Sequence, residues 1–173
     1  MKRDEIISLL TELGRRLALR SVAGEMYVVG GAAMALAFDE RRSTRDIDAV
    51  FEPKALVYDT AKEMAKEMDL PSGWLNDAVK GFVAGQDPGA SPILEVSGLR
   101  VSIASPRILL AMKVLAHRVG EDEDDVMILA RYLELASAED VLDVAARVYG
   151  DRLDAAARFF VEEIFDSMRS EEW

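Results

Sequence analysis

Two aspartates, Asp46 and Asp48, have the spacing of a carboxylate pair that binds a metal ion. They open the apolar run 46–51, Asp-Ile-Asp-Ala-Val-Phe, whose alternation predicts a β-strand. Side chains i and i+2 of a strand leave the same face, roughly 6–7 Å apart along the chain. The two carboxylates therefore project together, and hard oxygen ligands at this separation suit Mg²⁺. The alternative interpretation of Asp-x-Asp is a solvated strand edge.

Gly30 and Gly31 form a second motif with chemical potential. They follow the apolar run 27–29, Tyr-Val-Val, and precede a helix of small residues, so they predict a strand-to-helix turn. The unpaired N–H groups and the dipole at a helix start favour a phosphate group. A tight turn that packs a helix closely on a sheet is the structural alternative. Together with the acidic pair, this turn suits transfer of phosphoryl or nucleotidyl groups.

Composition restricts the chemistry further. The 173 residues include no cysteine and one histidine, which excludes disulfides, thiolate zinc sites and sites built from several histidines. We therefore expect any metal to be bound by oxygen atoms, as Mg²⁺ or Mn²⁺. The net charge of −11 argues against a general nucleic-acid coat protein. The sequence begins without a signal-peptide pattern and its longest apolar run is too short for a membrane span, so we expect a cytoplasmic protein with no membrane partner.

The elements that position these motifs follow from hydrophobic periodicity and turn residues. The expected class is α+β: a small mixed β-sheet core with flanking helices in residues 1–105, and a helical C-terminal region in 106–173 packed on that core. Strands are expected at 27–29, 46–51, 93–96 and 99–104, the last two joined as a hairpin by Ser97-Gly98. Helices are expected at 3–19, from 31 onward, 53–68, 106–117, 122–134, 138–148 and 152–168, with a short helix near 74–79.

Three further groups are weaker candidates. Lys113 lies in an apolar helix and either extends to the surface or points into a polar site. The acids of residues 121–125 either favour the helix dipole at a helix start or contribute to a site, with Asp125 first and Asp122 second. Six arginines concentrate positive charge that a nucleic-acid acceptor needs: Arg15, Arg16, Arg20, Arg41, Arg42 and Arg45.

The two central motifs resemble a known superfamily. Val29-Gly30-Gly31 followed by Asp46-Ile47-Asp48 resembles the signature of the nucleotidyltransferases that include DNA polymerase β. Within that superfamily, residues 44–48 and Ala111-Met112-Lys113 resemble the bacterial AbiEii/MenT-type nucleotidyltransferases, toxins of toxin–antitoxin systems. The resemblance covers roughly residues 25–135.

The resemblance implies roles for the first group of residues. Gly30 and Gly31 would approach the triphosphate of an NTP, and Thr44 would help to form the phosphate site. Asp46 and Asp48 would bind Mg²⁺ as catalytic metal ligands. The implied reaction transfers a nucleoside monophosphate to an acceptor hydroxyl.

The later residues match less closely. Lys113 would contact phosphate, Asp125 would complete the catalytic polar site, and Glu95 is the best match for a third metal carboxylate. The implied partners are an RNA acceptor such as tRNA and an antitoxin protein.

Two other functions stay open at this point. A catalytically inactive member of the fold would act as a binding or regulatory module. A glycosyltransferase would use Asp-x-Asp to hold Mn²⁺ and a nucleotide sugar, although such an enzyme does not require the glycine turn.

Overall fold

The computed structural model describes residues 1–82 and 85–171, with side chains up to residue 168. The chain divides into two compact units, Met1–Val83 with Gly89–Ala104, and Ala84–Pro88 with Ser105–Trp173. Within the described residues the protein has seven α-helices and one five-stranded mixed sheet, so the class is α+β, as the sequence predicts. In this part of the chain, no helix has both the length and the apolar composition that crossing a bilayer requires.

The first unit contains the sheet and three α-helices. In chain order they are α1 (Arg3–Leu19), β1 (Gly24–Val28), α2 (Gly30–Ala37), β2 (Ile47–Glu52), α3 (Lys54–Glu67), β3 (Leu75–Asn76), a 3-10 turn (Ala78–Gly81), β4 (Ser91–Val96) and β5 (Leu99–Ile103). The strands lie in the order β3-β2-β1-β5-β4. β1 is antiparallel to β2 and parallel to β5, β2 is parallel to β3, and β4 and β5 form the expected hairpin.

One face of this sheet forms the core of the unit. Met26, Val28, Ile47, Ala49 and Phe51 point to that face and are all buried. The apolar stripe of α1 is buried as well, and α1 and α3 pack beside the sheet. Because side chains alternate along a strand, the residues between these ones, including Asp48, belong to the opposite face.

The second unit is helical. It contains α4 (Pro106–Ala116), α5 (Glu123–Tyr132), α6 (Ala138–Tyr149), a 3-10 turn (Gly150–Arg152) and α7 (Ala155–Glu171). α4 begins with the Ser105 hydroxyl accepting a hydrogen bond from Ile108 N, and α6 begins with a capping box between Ser137 and Asp140. α6 packs against both α4 and α7, which buries the apolar stripes of these helices.

Two local predictions differ from the structure. The expected short helix near 74–79 is instead the strand β3 followed by a 3-10 turn, because Ile47 N donates to Trp74 O at 2.7 Å and starts parallel pairing with β2. The strand predicted at 46–51 begins at Ile47, so Asp46 lies in a bend just before β2.

Candidate functional site

The glycine turn lies where β1 ends and α2 begins. Val29 is the extended N-cap residue of α2, and its N–H donates to Asp48 O at 2.9 Å, which links the turn to β2. Gly30 has φ +63°, a left-handed conformation that costs other residues about 1–2 kcal/mol. The alanines Ala32, Ala33 and Ala35 are buried, so the helix packs closely and its start is fixed in place.

Asp48 and Thr44 occupy the space beside the two glycines. A Cβ atom on Gly30 would lie 3.1 Å from Asp48 Oδ2, and one on Gly31 would lie 2.9 Å from Thr44 Oγ1. Both distances are shorter than ordinary van der Waals contact, so any side chain on the turn would displace its neighbour. The structure therefore brings Gly30, Gly31, Thr44 and Asp48 together in one place.

Asp46 and Asp48 share the open face of the sheet. Ile47 and Ala49 are fully buried on the opposite face, whereas both aspartates are half-buried. Asp46 precedes the strand, and its backbone carbonyl accepts a hydrogen bond from Thr44 Oγ1 at 2.9 Å. Thr44 N in turn donates to Met1 O at 2.9 Å, so the loop before β2 is held on both sides.

Asn76 is a site neighbour that the sequence does not reveal. Its Nδ2 donates to Asp46 Oδ2 at 3.0 Å. Asn76 pairs in register with Asp48 across the parallel strands, and paired residues share a face of the sheet. The strand that carries it has only two residues and lies in a segment rich in turn residues, so periodicity alone gives no signal for it.

A groove lined in part by Asp46 provides room for a ligand. Its volume is about 800 Å³, within the range of roughly 300–1,000 Å³ that small-molecule sites usually have. Thr44, Arg45 and Asp46 line one side, and Leu70, Pro71, Gly73 and Trp74 lie among the other lining residues. Asp46 therefore borders a cavity, whereas Asp48 lies beside the turn.

The donors at this site fit a magnesium ion bound together with substrate. Among the side chains of residues 1–82 and 85–168, no group of three or more His, Cys, Asp or Glu could hold a metal ion. Asp46 and Asp48 thus offer two half-buried carboxylates, and Asp48 lies beside the glycine turn. Mg²⁺ usually binds proteins through one or two carboxylates and takes its other ligands from phosphates and water. The pair has the composition of such a site.

Glu95 does not join the acidic pair. It lies on β4, is 79% exposed and approaches Arg100 at 3.6 Å. The strand registers place Glu95, Arg100, Glu25 and Glu52 in one row across the sheet. Glu52 is four residues beyond Asp48, about 13 Å along β2, and β4 lies three strand spacings of about 4.8 Å from β2. This separation is too large for a shared metal ion.

Lys113 and Asp125 meet in the second unit, together with Asp122. The Lys113 Nζ atom lies 2.6 Å from Asp122 Oδ1 and 2.8 Å from Asp125 Oδ2. Lys113 is 4% exposed and both aspartates are fully buried, so the lysine does not extend to the surface. Burial raises the pKa of Asp122, but hydrogen bonds from Arg118 and Lys113 outweigh this effect and hold the pKa below its usual value.

The arginines of α1 are engaged in ion pairs. Arg15 and Arg16 both contact Glu12, Arg16 also contacts Glu67 on α3 at 2.7 Å, and Arg20 pairs with Glu63. Their charge is therefore largely neutralised by acids of α1 and α3. In the turn before β2, Arg41 pairs with Asp39 and is 94% exposed, whereas Arg45 lines the groove that Asp46 borders.

Comparison with known proteins gives one structural likeness. No protein-family model matches the chain, and no curated protein sequence matches it. The fold is similar to the crystal structure of an antigenic nucleotidyltransferase-like protein from Paracoccidioides brasiliensis, with 16% sequence identity and a TM-score of 0.49. The match covers 94% of this chain and 95% of that chain. The likeness assigns no role to any residue of this chain.

Proposed function

We propose that this protein is a Mg²⁺-dependent nucleotidyltransferase that transfers a nucleoside monophosphate from an NTP to an acceptor hydroxyl and releases pyrophosphate. One observation carries the proposal: Asp48 Oδ2 lies 3.1 Å from the position of a Cβ atom on Gly30. The carboxylate that suits a metal and the turn that suits a phosphate are thus in contact. A cation bound between them would contact the protein and the triphosphate simultaneously.

The role of the protein's own residues is to bind and orient the NTP. The N–H groups of the first turn of α2 have no acceptor within the helix, and with the helix dipole they favour phosphate oxygens. Asp46 and Asp48 would hold Mg²⁺, which when bound neutralises phosphate charge and favours attack by a hydroxyl group. Thr44 lies beside Gly31 and its hydroxyl donates to Asp46 O, so it connects the loop before β2 with the glycine turn. Catalysis of this kind depends on position and electrostatics, with no covalent step at the protein.

For Lys113 and Asp125 we propose a structural role before a catalytic one. Both are committed to a buried ion pair in the second unit, and Asp122 shares it. A contact between Lys113 and phosphate requires the lysine to exchange one of these carboxylates for the ligand. We therefore assign the pair first to the stability of the helical unit, and its catalytic role stays a prediction of the resemblance.

RNA, such as the end of a tRNA, is the acceptor class we propose, and an antitoxin is the proposed protein partner. The net charge of −11 disfavours RNA on most of the surface. Arg45 is exposed, precedes Asp46 directly and lines the groove beside it, so it offers a cation where an acceptor would lie.

A labelling experiment tests the proposal. Purified protein is incubated with each of the four α-labelled NTPs, Mg²⁺ and total cell RNA, and the label is followed into RNA or protein. We expect Mg²⁺-dependent labelling that EDTA abolishes. Asp46→Ala should lower the rate about 100-fold or more, because the metal supplies several kcal/mol of charge stabilisation. Asp59→Asn, an exposed acid on α3, serves as the matched control.

The second candidate is an inactive member of the fold that binds nucleotides as a regulatory module. It is favoured by the absence, among the described residues, of a group of three or more His, Cys, Asp or Glu side chains that could hold a metal ion. Calorimetry with Mg²⁺ and each NTP separates the candidates when combined with the labelling result. Binding without transfer supports the module, and undiminished transfer by Asp46→Ala contradicts the metal-dependent enzyme.

A further inference from the structure

The side chain of Asn76 is oriented by two hydrogen bonds. Ala78 N donates to Asn76 Oδ1 at 3.2 Å, which fixes the carbonyl end of the amide. The amino end therefore faces Asp46, and Nδ2 donates to Asp46 Oδ2 at 3.0 Å. An ionised carboxylate only accepts hydrogen bonds, so the amide has one orientation that satisfies both contacts.

The backbone of Asn76 is anchored by the residues before it. Leu75 and Asn76 pair with Ile47 and Asp48 of β2. The preceding Trp74 is buried, and its Nε1 donates to Ala61 O of α3 at 3.0 Å. Asn76 thus approaches the acidic pair from a fixed position, although its strand is short.

The residue after Asn76 is also held by α3. Tyr58 Oη donates to Asp77 Oδ1 at 2.8 Å, and Lys54 forms an ion pair with the same carboxylate. These contacts hold the pKa of Asp77 below its usual value, with the hydrogen bond from Lys54 as the larger cause. Asn76 is therefore held on both sides by residues that α3 anchors.

The Asp46 carboxylate has no other such support. Within the described ranges, Asn76 is the only side chain that hydrogen-bonds the Asp46 carboxylate. Asp46 also lies outside β2, so the strand does not fix its direction as it fixes that of Asp48. A neutral amide orients the carboxylate without the positive charge of a lysine or arginine, which would compete with a cation.

We infer that Asn76 is a positioning residue: it occupies Oδ2 of Asp46 and leaves Oδ1 to bind the metal. The inference rests on the proposed function, since it concerns the same metal site. Partners that hydrogen-bond a metal ligand typically change metal affinity or activity by about 10–100-fold when they are removed. The side-chain amide of Asn76 hydrogen-bonds Asp46 and the N–H of Ala78, so the effect of removing it should pass through Asp46.

The sequence offers a direct probe of this contact. Asn76 is the only asparagine in the chain, so labelling with ¹⁵N-asparagine gives one side-chain amide pair in an NMR spectrum. The protein is titrated with Mg²⁺ in the presence of the α,β-methylene analogues of ATP, CTP, GTP and UTP. We expect the amide signals to shift with the midpoint that calorimetry finds for Mg²⁺. The Asp46→Ala variant should abolish the shift without adding a second labelled residue.

Two variants separate positioning from general stability. Asn76→Ala should weaken Mg²⁺ binding about 10–100-fold and lower kcat, with little change in the KM for the NTP at saturating Mg²⁺. Thr60→Ala is the matched control, because it removes a buried hydroxyl that donates to Leu56 O at 2.7 Å and accepts from Arg20. It should lose stability but bind Mg²⁺ as the wild type does.

The outcomes are distinguishable. A wild-type amide signal that stays unmoved through saturation, or an Asn76→Ala variant with wild-type Mg²⁺ affinity, overturns the role of Asn76 alone. A wild-type protein that binds no Mg²⁺ with any analogue overturns this inference and the proposed function together. If Asn76→Ala does not fold, the wild-type titration still decides.

Discussion

Replacing Lys113 with alanine removes the cation between two buried carboxylates. The ammonium lies 2.6 Å from Asp122 Oδ1 and 2.8 Å from Asp125 Oδ2, and the three side chains are almost completely enclosed. Arg118 Nε lies 2.9 Å from Asp122 Oδ2 in the wild type, so Asp122 should keep a cationic partner after the substitution. Asp125 loses the lysine that lies 2.8 Å from its Oδ2, and the loss of this contact should destabilise the fold.

The expected cost follows from this geometry. Removing one partner of a buried ion pair typically destabilises a protein by about 3–5 kcal/mol, because a buried charge is left uncompensated. That is a large part of a total stability of roughly 5–15 kcal/mol. For a chain of this size, the midpoint of thermal unfolding should fall by roughly 6–20 °C. Urea unfolding followed by circular dichroism gives the free energy, and Lys113→Met tests whether the lost charge or the lost volume dominates.

The loss of stability in Lys113→Ala should be smaller in acid than at neutral pH. In the wild type the folded pKa of Asp122 is lowered. Its contribution is therefore present above the unfolded carboxyl pKa of about 3.9 and is lost as the pH falls through the folded value. Lys113→Ala lacks one of the hydrogen bonds that lower this pKa, so the variant has less of this stabilisation to lose in acid. The stability difference between the two proteins should therefore shrink below about pH 4.

A small effect would refute this reasoning. If Lys113→Ala costs less than about 1 kcal/mol at pH 7, the interaction is worth no more than a surface ion pair. Lys113 could then leave one of these carboxylates to contact a phosphate ligand at little cost in stability. Transfer activity measured at a temperature where the variant is still folded distinguishes lost phosphate contact from lost stability.

Two further predictions concern the first unit. Gly30→Ala places an alanine in a left-handed conformation, with its Cβ atom 3.1 Å from Asp48 Oδ2. The free energy of unfolding should therefore fall by about 1–2 kcal/mol, as urea unfolding would measure, and Mg²⁺–NTP binding should weaken, as calorimetry would measure. Unchanged binding would count against the site. Hydrogen bonds from Arg15 and Arg16 lower the pKa of Glu12 to about 2, so its stabilisation is present above the ordinary value of 4.5 and fades toward pH 2. Glu12→Gln should therefore cost at most about 1 kcal/mol at pH 7 and almost nothing at pH 2; an equal cost at both pH values would contradict the ionic origin.

Local patterns in the sequence predict much of the first unit. The alternation of residues 46–51 places Ile47, Ala49 and Phe51 on one face, and the structure buries all three. The stripe of α1 and the hairpin of β4 and β5 are likewise local, because each depends on residues a few positions apart. The strand-to-helix turn at Gly30 follows from the same kind of signal.

Long-range pairing decides the rest of the site. The contact between Asn76 and Asp46 spans 30 residues of sequence and depends on the register of β3 with β2. The distant position of Glu95 likewise follows from three successive registers across the sheet. The choice between surface and interior for Lys113 depends on two acids beyond the next turn. The hydrophobic periodicity within each segment gives no indication of these pairings.

The two aspartates reach the same face by different physical means. Asp48 is held by the sheet, since it lies inside β2 and its carbonyl accepts from Val29 N at 2.9 Å. Asp46 lies in a bend, where Thr44 Oγ1 holds its carbonyl and Asn76 holds its carboxylate. The Asp-x-Asp spacing therefore becomes a usable pair only with these two polar partners. Because one of them is 30 residues away, the motif alone is a weak indicator of metal binding, and its surroundings decide the function.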